Sequence, residues 1–278
     1  MTKDYKKSPG YKLREVLEEI FPYQPQNSNF IFKIDRSINA DENFALLSYY
    51  SSLNYLIRRL IVGADFIKRK YNIEGLPAEK YLGEIKKYIY TTYNFPPTKV
   101  EDIYDLIVES VTERNRKLSQ AKKDAVLKAG KSRDLGCYIC GKELIYDKRG
   151  YPENHPDIAE VEHLWPKSLG GSNELFNLEV CCFQCNKGKA NHIDVADYHY
   201  EKFFVIKDRS DVDFFSDFHR SFIVASHLRN DCKCIRCNKL AIHQNRLYLN
   251  RRDSSEGWHM LNIDSYCSKH ITSSNDSI

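Results

Sequence analysis

Nine cysteines punctuate this 278-residue chain, and their spacing constrains the fold more than any other feature. Cys137 and Cys140 form a C-x2-C pair, Cys182 and Cys185 a second, and Cys234 and Cys237 a third; Cys267 and His270 add a C-x2-H. Pairs of this kind in a chain whose thiols stay reduced point to metal rather than to disulfides, and the odd total argues against a complete disulfide framework. Two C-x2-C pairs supply four soft thiolates to one tetrahedral zinc, a closed site with no position left for chemistry. Cys137, Cys140, Cys182 and Cys185 are therefore expected to be structural, tying together both ends of a module too short to rely on its core. Cys234, Cys237, Cys267 and His270 have the composition of a second structural zinc site, with His243 and His259 as competing imidazoles. Cys181 and Cys232 are left over and read as packing thiols.

The flanks of the cysteine region have a different character. Residues 1–133 contain no cysteine and read as helical. Tyr11 to Phe21 places Leu13, Val16, Leu17 and Ile20 at helical spacing. A long apolar-periodic stretch opens near Ser37, Asn39 or Asp41 and ends near Tyr71 in the basic cluster Lys68, Arg69 and Lys70. Pro77 starts another helix, which Pro96 and Pro97 close off. Thr98 and Glu101 have capping-box spacing, so one helix is expected from Lys99 to about Lys128. Its basic second half (Arg114, Arg116, Lys117, Lys122, Lys123 and Lys128) reads as a solvated face or as a phosphate-contacting arm, with even weight. Ala129-Gly130-Lys131-Ser132 is not a phosphate-binding loop, because Ala125 stands where its first glycine belongs. Tyr198 to Asn230 is expected to be helical in part, and Arg246–Asn250 and Gly257–Ile263 read as two short strands.

Between the first two cysteine pairs runs Glu160-Val161-Glu162-His163-Leu164-Trp165-Pro166-Lys167-Ser168-Leu169-Gly170-Gly171-Ser172, followed by Asn177-Leu178 and Cys182-Phe183-Gln184-Cys185-Asn186-Lys187-Gly188-Lys189. An acid before histidine, then x-x-Pro-x-Ser, two glycines, Asn-Leu and Cys-x-x-Cys-Asn-x-x-Lys resembles the HNH nuclease family, over roughly a fifth of the chain. The resemblance implies a ββα-metal fold, in which His163 is the general base that takes a proton from water. Histidine suits that role because its ordinary pKa lies near working pH. By the same resemblance Glu162 and Asn186 hold one divalent ion, Mg2+ or Mn2+, for which hard oxygen ligands are right and thiolates are not. Asn191 and His192 are alternatives for the last ligand. Asn177 matches the middle asparagine, which holds the loop and orients His163. Lys189, Lys187 and Lys167 are candidate contacts to nucleic-acid phosphate, and Gly170 and Gly171 allow a tight turn.

The expectation is an α+β chain in three parts. A mainly helical domain (1–133) precedes a central zinc-bound ββα-metal HNH module (134–195), and a C-terminal region (196–278) carries a small zinc-knuckle or ribbon-like module. The implied activity is metal-dependent hydrolysis of nucleic-acid phosphodiesters, DNA ahead of RNA, in an effector of an anti-phage or restriction system by analogy. The alternatives are a zinc-stabilised nucleic-acid-binding protein without catalysis, or a nuclease active only with a partner protein or a second copy docked on the helical region. The net charge of +4 permits nucleic acid without demanding it. No eighteen-residue apolar run occurs and the first residues are polar, so neither a membrane span nor a secretory signal is expected, and the cytoplasm is the default compartment.

Overall fold

A computed structural model describes residues 4–24, 43–198, 219–254 and 260–271. The chain forms two compact units, Met1–Leu118 with His163–Asn177, and Ser119–Glu162 with Leu178–Ile278.

Among the described residues, the first unit is built on four α-helices: α1 (Pro9–Ile20), α2 (Asn43–Ile73), α3 (Ala78–Thr92) and α4 (Val100–Asn115). Pro9 sits in the first turn of α1, where its missing N–H costs nothing. Pro77 occupies the cap position of α3. The start expected for α2 near Ser37 to Asp41 lies outside the described residues. Leu13 and Leu17 of α1, Ile57, Leu60, Ile61 and Ala64 of α2, Ile85 and Ile89 of α3, and Ile103 and Ile107 of α4 are all buried. They make one apolar core from the three- and four-residue spacing seen in the sequence. Onto this core folds the segment 163–177, whose Trp165 and Leu169 are buried with it. Ser8, Gly10 and Tyr11 hold the segment from α1: Gly10 N–H donates to Gly170 O, Ser172 N–H donates to Ser8 Oγ, and Tyr11 packs edge-on to Trp165.

The single helix expected from Lys99 to Lys128 is two helices. α4 ends at Asn115, Arg116 is extended, and α5 (Gln120–Ser132) starts afresh at Ser119, whose Oγ accepts from Lys122 N–H. Side-chain bonds explain the break. Asn115 turns its Nδ2 back onto Val111 O and across to Asp65 Oδ1, and Ser119 is a good N-cap. The expected capping box does not form either. The cap residue is Lys99, with no side-chain bond, and Glu101 accepts from Lys86 and Tyr90 instead.

The second unit begins with α5, which packs on strand β2. Gly130 of α5 sits so close to Val180 and the Tyr146 hydroxyl that a side chain there would meet both. Strand β1 (Ala159–His163) pairs with β2 (Leu178–Cys182) in a two-stranded sheet. Bonds from Leu164 N–H to Asn177 O and from Phe183 N–H to Ile158 O keep the summed positions constant, the signature of antiparallel pairing. Helix α6 (Phe183–Lys189) follows β2 directly, giving the strand–strand–helix order, and packs against α7 (His219–Arg229). Strands β3 (Leu247–Arg251) and β4 (Ile263–Cys267) form an antiparallel hairpin with Leu247 opposite Cys267 and Arg251 opposite Ile263. β4 therefore starts where the sequence pattern had the second strand end, and residues 255–259 lie outside the described residues. Phe222, Leu249 and Ile263 form a core between α7 and the hairpin.

Candidate active site and zinc centres

Cys137, Cys140, Cys182 and Cys185 are buried, and their sulfurs all lie within 4.8 Å of one another. A tetrahedral zinc with bonds of about 2.3 Å requires sulfurs about 3.8 Å apart; Cys140 and Cys182 stand at 4.0 Å. The first knuckle turns tightly, with Gly141 N–H donating to Cys137 O and Cys137 N–H to Lys142 O. Gly141 makes the turn possible, since its φ is +73° and a Cβ would strike the Asn245 carbonyl. Burial opposes ionisation of Cys137, but hydrogen bonds from Cys140, Cys182 and Cys185 outweigh it and hold this thiol well below its ordinary value. Cys182 and Cys185 are pushed the other way, chiefly by their bonds to Cys137 and Cys140. Four thiolates held this close need a dication to offset their charge, which zinc would supply.

Cys234, Cys237, Cys267 and His270 form the second group, again within 4.8 Å of one another. Cys237 and Cys267 are 3.8 Å apart, and His270 presents Nδ1 at 3.2 Å from Cys267 and 3.6 Å from Cys234. The imidazole that joins the cysteines is thus His270. His243 is exposed outside the group, and His259 lies outside the described residues. This knuckle repeats the first: Cys234 N–H donates to Lys239 O and Asn238 N–H to Cys234 O, with Asn238 at φ +57° in place of glycine. Burial raises the Cys234 thiol, but backbone N–H groups around it bring it down to about 6. Either group can hold zinc. Cys181 and Cys232 stay outside both, buried, with burial raising their thiols.

The remaining candidates fall into two sets, one in each unit. In the first, His163 Nε2 lies 2.9 Å from Asn173 Oδ1. Asn177, fully buried, clamps the segment to itself: its Oδ1 accepts from Trp165 N–H, and its Nδ2 donates to Trp165 O and Ser172 O. Gly170, at φ +79°, ends the short 3-10 turn Lys167–Leu169 where the Ser110 side chain leaves no room for a Cβ. Arg114 donates to Ser168 O and, at 3.0 Å, to the buried carboxylate of Asp65. Lys167 is half-buried in this turn.

In the second set, Glu160 and Glu162 stand two apart in β1 and so share a face. Asn186 Nδ2 donates to Glu160 Oε2 at 2.5 Å, and Lys189 Nζ donates to Glu162 Oε1 at 2.8 Å. The Lys189–Glu162 pair is buried on both sides, with the lysine side chain 1% exposed. Lys187, two residues earlier and so on the opposite side of the helix, is exposed and lies over the Phe183 ring. His192 packs on Tyr198 with ring centroids 4.2 Å apart, and Asn191 is exposed.

Residues 137–197 match the family model described as HNH endonuclease. The recognition of an HNH endonuclease segment stands. No curated protein and no solved structure matched the chain. An HNH endonuclease domain points to a nuclease in general, to metal binding and to nucleic acid as partner.

Within the HNH segment, two residues that the sequence pattern did not single out touch the expected ones: Asn173 at the His163 ring and Glu160 at Asn186. Glu160 had a signal, its i, i+2 relation to Glu162 on a strand. Asn173 had none, since a contact ten residues along a loop has no period to betray it. Among the described residues, no helix is long and apolar enough to cross a membrane.

Proposed function

We propose that this protein is a metal-dependent HNH endonuclease that hydrolyses phosphodiester bonds of nucleic acid, DNA ahead of RNA, with His163 as general base. The observation that carries the reading is the order Glu162-His163, Asn177 and Asn186 inside a four-cysteine frame, with the His163 ring held by an asparagine amide. A ring anchored in this way is held in one orientation for proton transfer. A hard divalent ion, Mg2+ or Mn2+, fits the oxygens of Glu162 and Asn186, with Glu160 beside them. When bound, it would stabilise charge on the phosphate and on the leaving oxygen. His163 accepts the proton of the attacking water. Asn177 keeps the loop closed so that the base stays in place. Lys187 and Lys167 offer charge to phosphates, and α5 carries further exposed lysines, Lys123 and Lys128.

Zinc in the two cysteine groups is structural in this reading. Residues 134–195 form the catalytic module, with 1–133 and 196–278 as its helical and knuckle-bearing flanks. A role in anti-phage or restriction defence follows by analogy with the class of enzyme.

A second reading, a nuclease that is active only with a partner, draws on one observation. The buried Lys189 ammonium already neutralises Glu162, so the ion must compete with it. Cleavage of plasmid, single-stranded DNA and RNA with Mg2+ or Mn2+ tests both readings. Wild-type protein should cut and His163→Ala should lose about two to four orders of magnitude in rate. Intact cleavage by His163→Ala would refute the assignment of the base. Cleavage that appears only after a copurifying protein is added would favour the second reading.

A further inference from the structure

The His163 ring is anchored by a residue whose own anchor lies outside the HNH segment. Asn173 is 2% exposed and makes three bonds. Its Nδ2 donates to Arg116 O at 2.9 Å, its backbone N–H donates to Glu113 Oε2 at 3.3 Å, and its Oδ1 faces His163 Nε2 at 2.9 Å. Glu113 belongs to the last turn of α4 and Arg116 caps it, the two being joined by an ion pair of 3.1 Å.

These bonds determine the protonation of the ring. Arg116 O is a carbonyl and can only accept, so the NH2 of the Asn173 amide must point to it. The amide oxygen then points to the imidazole. An oxygen there can only accept, so Nε2 must carry the proton, and in the neutral ring the lone pair resides on Nδ1. The order of the links is helix α4, amide, tautomer.

We propose that Asn173 is the positioning residue for the base, and that the last turn of α4, through Arg116 O and Glu113, selects the Nε2–H tautomer of His163. This rests on His163 being the base, as proposed above. It adds that residues 113–116, twenty positions and more before the HNH match begins, are part of the nuclease machinery. The helical part of the chain thus has a chemical task as well as any partner it docks.

The test reads the tautomer directly, by long-range 15N–1H NMR of the full-length, zinc-loaded protein labelled at its histidines, with His163→Gln used to assign the resonance. Wild-type His163 should show the Nε2–H pattern. Asn173→Ala should lose it, giving a mixture of tautomers, while kcat falls about ten- to hundredfold and KM holds. Asn173→Asp keeps the oxygen facing the ring and should restore the Nε2–H pattern and part of the lost kcat. Glu113→Ala, which removes the acceptor for the Asn173 N–H and the ion pair that steadies Arg116, should give an intermediate result and serves if Asn173→Ala does not fold. An Nδ1–H pattern in wild type, or an unchanged tautomer in both Asn173→Ala and Glu113→Ala, would overturn the proposal. The NMR result stands apart from cleavage: protein that shows the predicted tautomers but cuts nothing would sink the nuclease reading and leave the positioning intact.

Discussion

The two stretches that carry the HNH pattern are held in different ways. Residues 137–140 and 182–185 bring four sulfurs together, poised for one ion. Residues 163–177 have no cysteine. They are held by hydrogen bonds and apolar contacts to helices of the first unit: Ser8 and Gly10 of the α1 end, Arg114 and Glu113 of α4, and Trp165 against Tyr11. The first kind of support depends on metal and pH, the second on packing. Each should therefore fail under conditions that spare the other.

The largest expected effect comes from the metal. Cys182→Ser, or chelation of zinc, removes a ligand set whose binding free energy is also folding free energy, of order 10 kcal/mol for structural zinc. Loss of cooperative melting for the second unit is expected, with the helical signal of the first retained by circular dichroism and zinc content falling by one ion. Unchanged melting of the whole chain would mean that the thiols are ordinary packing groups.

Ile57→Ala reverses the experiment. Ile57 is fully buried in the core of the first unit. Its truncation should cost about 2–5 kcal/mol and lower the melting temperature of the helices, with zinc content unaltered.

His227 sharpens the comparison through pH. The ring is buried in the second unit, with Nδ1 2.8 Å from Ser265 Oγ, and burial lowers its pKa from 6.5 to about 4. Between these values the unfolded chain binds a proton that the folded chain refuses, so stability should fall as pH drops from about 6.5 toward 4 and be restored above it. The shift corresponds to roughly 3 kcal/mol at most. Melting of the zinc-loaded protein across that range, with zinc release followed at each pH, would measure it. A flat profile above the pH of zinc release would contradict the burial argument.

The smallest effect concerns the break between α4 and α5. Ser119→Ala removes the only side-chain bond at the α5 cap and should cost roughly 0.5–1 kcal/mol, visible as faster amide exchange over Lys122 and Lys123. No change there would show that the break is enforced by Asn115 alone.

How far the sequence could be read depended on the range of the interactions. The knuckles were legible because a C-x2-C turn is made within six residues, and both recur with the same backbone bonds. The first helix was legible from Leu13 and Leu17, which repeat with the period of the helix they bury. The continuation of α4 into α5 was misread. Helical periodicity runs through Arg116–Leu118, and what stops the helix is the Asn115 amide reaching Asp65, fifty positions away. The role of Asn177 was legible as holding the loop. Its expected contact with the base is instead made by Asn173, while Asn177 spends its amide on Trp165 and Ser172.

By itself the sequence determined the cysteine pairs, the motif around His163 and the helical character of the first unit, because each is written in local spacing or residue type. Only the tertiary structure decided which imidazole joins the second cysteine group, which carboxylate Lys189 neutralises and which nitrogen of His163 carries its proton. They depend on groups brought together from 27 to 57 residues apart (Cys234 with His270, Glu162 with Lys189, Arg116 with Asn173), and at such separations what fixes a bond is the geometry of the folded core, not the pattern of the chain.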